Sequence, residues 1–293
     1  MAPQKQRMRG LRIAVASGKG GTGKTMVALN LAAMFGQPVQ LADCDVEEPN
    51  DALFLPCERH IAADVTMLVP QVDPACCTGC GACSELCQFH GIVSLGTKAL
   101  VFPELCHGCG GCVKICPTGA LSEHPRRLGT VTVGQSHHIR FIEGRLEVGA
   151  ALVPPVIRAV RDQLHDDVPA ILDAPPGTSC PVVATIRECD YLLLVTDPTP
   201  FGFHDLRLTV ALARELGLPC GVVINRYAED RVGLLRYCQL EGLPVLLTIP
   251  DDRLIAEVVS KGELIATTMP EYGHMFADLA IKLQQHLLAG GER

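Results

Sequence analysis

Two sets of residues in this chain have the types and the spacing to do chemistry. The first is Gly18-Lys19-Gly20-Gly21-Thr22-Gly23-Lys24-Thr25, which fits the GxxxxGK[ST] pattern of a phosphate-binding P-loop. Its glycines let backbone N–H groups turn inward around a phosphate, and a helix starting there adds the positive end of its dipole. In that geometry Lys24 reaches the β- and γ-phosphates of a nucleotide, and the Thr25 hydroxyl holds Mg²⁺. Such a loop needs a strand before it and a helix after it. The apolar run Leu11 to Ala16 and the apolar-periodic stretch Met26 to Phe35 supply them.

The second set is made of cysteines. Cys77, Cys80, Cys83 and Cys87 read C-x2-C-x2-C-x3-C, and Cys106, Cys109, Cys112 and Cys116 repeat the pattern, with Pro117 following. Each cysteine of the second run lies 29 residues after its counterpart, and Gly79 and Gly81 map onto Gly108 and Gly110 by the same offset. The segment is an internal duplication. Its spacing is that of the bacterial ferredoxin with two 4Fe-4S clusters, where the fourth cysteine of each run serves the other cluster. One cluster is thereby assigned Cys77, Cys80, Cys83 and Cys116, and the other Cys106, Cys109, Cys112 and Cys87. Soft thiolates suit iron–sulfur cubanes, whereas zinc knuckles call for two CxxC pairs. Gln88 stands where proline usually follows the first run, and Cys76 is out of register and is read as a non-ligand.

Composition narrows the partners. The chain has 293 residues, 48% of them apolar and 4% aromatic, with no Trp and a net charge of −7. Scarce stacking platforms and an acidic balance exclude nucleic acid as an expected partner. No apolar run approaches the roughly 18 residues of a membrane span, so stable membrane insertion is not expected. The start MAPQKQRMRGLR is basic and lacks a long apolar core, which does not read as a secretory signal. A cytoplasmic, reducing compartment is expected, where fifteen cysteines are better explained by metal or cluster ligation than by disulfides.

Around the P-loop, strands are predicted at 11–17, 38–44, 170–173, 191–196, 220–225 and 244–249, alternating with helices at 24–35, 154–164, 204–216, 231–240, 252–260 and 273–288. That alternation predicts an α/β fold: a mostly parallel, doubly wound P-loop NTPase sheet. Between about 56 and 125 the rhythm stops and cysteine, glycine and proline crowd in, which predicts an inserted α+β ferredoxin-like domain. The expected division is 1–56 and 128–293 for the two parts of the ATPase domain and 57–127 for the insert. Residues 129–148 alternate β-formers and predict a hairpin, with His137-His138 in it.

KGGTGKT, the paired cysteine repeats, DAPPG and VTDPTPFGFHDL together resemble the MinD / Mrp / nitrogenase iron-protein ATPases carrying an inserted ferredoxin, from about Leu11 to Leu288. The resemblance implies a nucleotide-dependent homodimer in which Lys19 crosses to the partner's ATP. It implies that Asp173 binds Mg²⁺, that the Gly177 amide senses the γ-phosphate, and that Asp45, with Asp43 as its competitor, positions the attacking water. Asn225 is implied to read adenine, with Pro250-Asp251 closing the other side of the base. Cys180 is expected to be a small semi-buried thiol, like Cys44, Cys57, Cys189, Cys220 and Cys238. The expected function is ATP hydrolysis coupled to electron transfer through two 4Fe-4S clusters to a redox partner protein. The alternative is an ATPase that assembles or delivers an iron–sulfur or other metal cofactor to an assembly partner.

Overall fold

The computed structural model describes residues 10–230 and 232–290, so most of the basic start, Arg231 and Arg293 lie outside the described residues. β1 (Arg12–Ala16) enters the P-loop and α1 (Lys24–Ala33) leaves it. β2 (Val39–Asp43) ends on an aspartate, and a 3-10 turn covers Asp51–Leu53. β3 (Arg59–Val72) leads into the cysteine-rich segment, which holds α2 (Ala82–Leu86), the hairpin of β4 (Ile92–Ser94) and β5 (Ala99–Val101), and α3 (Gly111–Ile115). β6 (Leu121–Ser136) returns beside β3 and turns at His137-His138 into β7 (Ile139–Leu146). The alternation then resumes with α4 (Pro154–Arg161), β8 (Ala170–Asp173), α5 (Cys180–Ile186) and β9 (Tyr191–Thr196). It closes with α6 (Pro200–Glu215), β10 (Cys220–Tyr227), α7 (Leu234–Leu240), β11 (Val245–Pro250), α8 (Arg253–Ser260), α9 (Ile265–Thr268) and α10 (Pro270–Gly290).

Nine strands form one sheet in the order β11-β10-β9-β1-β8-β2-β7-β6-β3. The first seven run parallel, and β6 and β3 are antiparallel to their neighbours. Central strands covered on both faces must be apolar throughout rather than alternating. β1, β8 and β9 are therefore almost wholly buried. Their side chains still divide by parity: Ile13 and Val15 join an apolar layer with α1, α8, α9 and α10, while Ala14 and Ala16 join a second with α4, α5, α6 and α7.

β3 and β6 were not predicted as strands across their full lengths. They pair from Arg59↔Gly134 to Val72↔Leu121, with register shifts near Ile61 and Val65. The near half extends the sheet. The far half is a two-stranded ribbon that carries residues 73–120. The cause of the omission is local: Arg59–Ala62 are exposed, and Pro70 and Pro125 interrupt the pattern. Prolines of this kind belong to sheet edges and ribbons, not to central strands. The short helices α5 and α9 also lack the length that makes a periodic signal legible.

Candidate functional site

The site lies where β1, β8 and β2 end together. Val15 is level with Asp173, and Asp173 with Asp43, so the P-loop and both carboxylates leave the same edge of the sheet. β1 has β8 on one side and β9 on the other, the reversal point at which open α/β sheets bind ligands. Gly21 and Gly23 take positive φ, 76° and 93°, which a side chain would strain. A Cβ on Gly20 or Gly21 would meet nothing, so the loop mouth is open above them. The Thr22 hydroxyl is buried without a partner among the described residues, an orphaned polar group inside a loop built of amides. That is the observation that fits an anionic ligand here.

Lys24 Nζ lies 2.8 Å from Asp173 Oδ1, and the Thr25 hydroxyl donates to Asp173 Oδ2 at 2.6 Å. The three residues assigned to phosphate and Mg²⁺ are thus in direct contact. Burial works against the charge on Lys24, but Asp173, with Asp45 and Asp51 behind it, outweighs burial and raises its pKa. Asp43 accepts the amides of Asp45 at 3.1 Å, Asn50 at 3.0 Å and Asp51 at 3.2 Å, so it organises the loop rather than facing open space. Burial, then the Asp173 charge, pushes its carboxyl up to about 8. Burial also pushes Asp45 up to about 6, against the pull of Lys24. Asp45 is partly exposed.

Three implied residues have partners that sequence does not announce. Lys19 Nζ lies 3.0 Å from Asp197 Oδ2 and 3.4 Å from the Thr199 hydroxyl, so it is held within its own chain at the end of β9. Burial would raise the Asp197 carboxyl, but hydrogen bonds from Thr199 and Lys19 and the Lys19 charge win and hold it low. The Gly177 amide donates to the Ser17 carbonyl at 2.9 Å. Asn225 is buried and donates from Nδ2 to the Thr22 carbonyl at 2.7 Å, clamping the P-loop. Asp51 and Asp197 were missed by sequence reasoning. Asp197 sits inside the quoted VTDPTPFGFHDL segment, but nothing local marks it as the partner of Lys19. Cys180, expected semi-buried, is exposed, because it begins α5 on the rim rather than under it.

The cysteines gather at the far end of the ribbon. One concavity is lined by Cys77, Cys80, Cys83 and Cys116, and a second by Cys87, Cys106, Cys109 and Cys112. The duplication is visible in the backbone: Gly79 and Gly81, like Gly108 and Gly110, have positive φ, and α2 and α3 follow them. Phe89 stacks on His107 with centroids 3.6 Å apart, beside the second concavity. Burial acts on Cys116 but is outweighed by the Thr118 hydroxyl and the amides of Thr118, Ala120 and Leu121, which hold its thiol low. Burial pushes the Cys83 and Cys112 thiols up. Among the described residues no three cysteine sulfurs lie within 4.8 Å of one another.

Comparison with known proteins bears on the sheet and its loops. The CobQ/CobB/MinD/ParA nucleotide binding domain matches residues 13–265. The uncharacterised protein MJ0578 of Methanocaldococcus jannaschii is 31% identical over 284 residues, covering 94% of this chain and 98% of that protein. The cell division ATPase MinD of Pyrococcus furiosus superposes with a TM-score of 0.57 at 21% identity, over 94% of this chain and 99% of that one. The septum site-determining protein MinD of Pyrococcus horikoshii OT3, complexed with Mg-ADP, gives a TM-score of 0.57 at 20% identity, over 97% and 99%. With the P-loop at the reversal point of a mostly parallel sheet, the chain belongs to the CobQ/CobB/MinD/ParA nucleotide-binding family and has the α/β fold of a P-loop NTPase.

Proposed function

We propose that the chain binds and hydrolyses ATP with Mg²⁺ and couples hydrolysis to electron transfer through two 4Fe-4S clusters, as a nucleotide-dependent homodimer. The observation that carries this reading is the joint one: a nucleotide site and two four-cysteine concavities, linked by β3 and β6. The Mg-ADP held by the Pyrococcus horikoshii relative supports the nucleotide half.

In the nucleotide site, Lys24 exchanges Asp173 for the β- and γ-phosphates, and the P-loop amides and Thr22 hydroxyl fill their bonding capacity on the same groups. Released from Lys24, Asp173 and the Thr25 hydroxyl would be the residues that hold Mg²⁺. Asp45 orients the attacking water. The Gly177 amide leaves Ser17 to meet the γ-phosphate, so switch movement begins as a hydrogen-bond exchange. Lys19 leaves Asp197 to act across the dimer, as a cation supplied in trans. Asn225 keeps the P-loop in register beside the base.

In residues 57–127 the donor set fits two cubanes. Each concavity combines three cysteines of one run with the last of the other, the arrangement of a duplicated two-cluster ferredoxin. The amides around Cys116 point donors at its sulfur, one of the means by which a protein sets a cluster's potential. When bound, the clusters supply one-electron transfer. The chain's own part is to ligate them, shield one side with Phe89 and His107, and move them on the ribbon when the loop after β2 moves.

Anaerobic purification tests the reading. About eight irons per chain, with ATP hydrolysis abolished by Lys24→Ala, is the expected result. Stoichiometric zinc, or full hydrolysis by Lys24→Ala, overturns it.

A further inference from the structure

The loop between β2 and β3 holds a group that the proposed chemistry does not use. Asp51 opens the 3-10 turn Asp51–Leu53 and is completely buried. Outside the acidic trio neither of its carboxylate oxygens meets a hydrogen-bond donor among the described residues; within it, the Asp51 and Asp173 side chains share a hydrogen bond. It faces other acceptors instead: one oxygen each from Asp43, Asp51 and Asp173 lies within 4.8 Å of the other two.

The other two members of this trio are engaged. Asp43 accepts three backbone amides, and Asp173 accepts from Lys24 and Thr25. A buried ionised carboxylate needs a counter-charge or a full set of donors. Lys24 is the cation paired with the trio, and burial pushes the Asp43 and Asp51 carboxyls up, so that protons share the site with it. A divalent cation that displaces those protons lets one oxygen from each of the three residues ligate it. The donor set is all oxygen, which suits hard ions such as Mg²⁺ and Mn²⁺.

We infer that Asp43, Asp51 and Asp173 form a divalent-cation site that fills before nucleotide arrives, with Asp51 as the added carboxylate that makes it so. The inference rests on the assignment of Asp173 to Mg²⁺ and deepens it. It also gives the loop a mechanical role. Asp51 stands shortly before β3, so a cation there ties the root of the ribbon to the ends of β2 and β8. Nucleotide that draws the cation toward phosphate alters that tie.

The test is Mn²⁺ uptake by the anaerobically purified, cluster-loaded chain, stripped of divalent ions on a chelating resin and followed by electron paramagnetic resonance. Wild type is expected to take up about one Mn²⁺ per chain without nucleotide, displaceable by Mg²⁺. Asp51→Asn, which keeps the shape of the side chain, is expected to weaken that uptake tenfold or more, while Mn²⁺ uptake in the presence of ADP persists. No uptake by nucleotide-free wild type, or unchanged uptake by Asp51→Asn, overturns the inference; protons then neutralise the trio. Loss of uptake even with ADP in wild type overturns the nucleotide assignment as well. If Asp51→Asn does not fold, the wild-type melt decides: Mn²⁺ raises the nucleotide-free melting temperature at fixed pH, and an unmoved melt counts against the site.

Discussion

The sheet body and the cysteine lobe, residues 73–120, are held together by different means. The body packs helices on both faces of its sheet and buries large side chains such as Phe141, Leu172 and Phe276 completely. The lobe's apolar cluster has Cys83 and Ile92 as its buried members, joined by Leu121 from the start of β6, and Leu86, Phe89, Leu95, Leu100, Phe102, Leu105 and Ile115 are exposed around it. A segment of that size with so small a core needs a covalent or metal staple. Eight cysteines around two hollows provide the ligands for one. Body stability therefore resides in apolar burial, whereas under the proposed function lobe stability rests on the clusters its thiolates would hold, and the two should be open to separate disruption.

The largest effect should come from the staple. If the lobe holds the proposed clusters, chelation or oxidative loss of their iron is expected to unfold it while the body keeps its fold, read as new protease sites confined to residues 73–120. Cooperative loss of both regions in one transition would break the comparison. Next is the body's own core. Leu172→Ala, in the buried strand β8, should cost about 2–5 kcal/mol of stability and leave iron content per folded chain unchanged. If iron falls in proportion, the regions are not independent.

Activity should then separate from both. With Asp45 pushed up to about 6, its carboxyl is protonated below that pH and ionised above it. Asp45 acts as an anion, so kcat/KM for ATP should fall about tenfold per pH unit below about 6 and level off above it, with no change in cluster absorbance. A profile flat down to pH 4.5 would remove Asp45 from that role. The smallest effect concerns Lys19. Asp197→Asn breaks an ion pair whose lysine is partly exposed but whose carboxylate is buried, and should make the ATP-dependent dimer easier to form, seen by light scattering, at a stability cost of about 1–3 kcal/mol. An unchanged dimer equilibrium would mean that Lys19 is not restrained by this contact.

What sequence makes legible follows the same divide. In the body, every predicted strand appears within two residues of its place, because continuous apolar runs between glycines and prolines have few other readings. The P-loop is legible for the same reason: motif, strand and helix agree. In the lobe, the ferredoxin spacing pairs Cys116 with the first run and Cys87 with the second, and Cys116 lines the concavity of Cys77, Cys80 and Cys83 while Cys87 lines that of Cys106, Cys109 and Cys112. The ribbon was not legible, since exposed residues and two prolines hide its alternation. Asp51 was not legible either. Among Glu47, Glu48, Asn50 and Asp51 it reads as one more charge in a solvated loop, and only the tertiary fold shows it buried against Asp173.

The account's central claim is that nucleotide state governs the clusters. The direct measurement is the rate at which the dithionite-reduced chain delivers electrons to a soluble acceptor with Mg-ATP, with Mg-ADP and with neither. The account predicts that the rates differ among the three states and that Lys24→Ala removes the difference. Equal rates in all three states would contradict it.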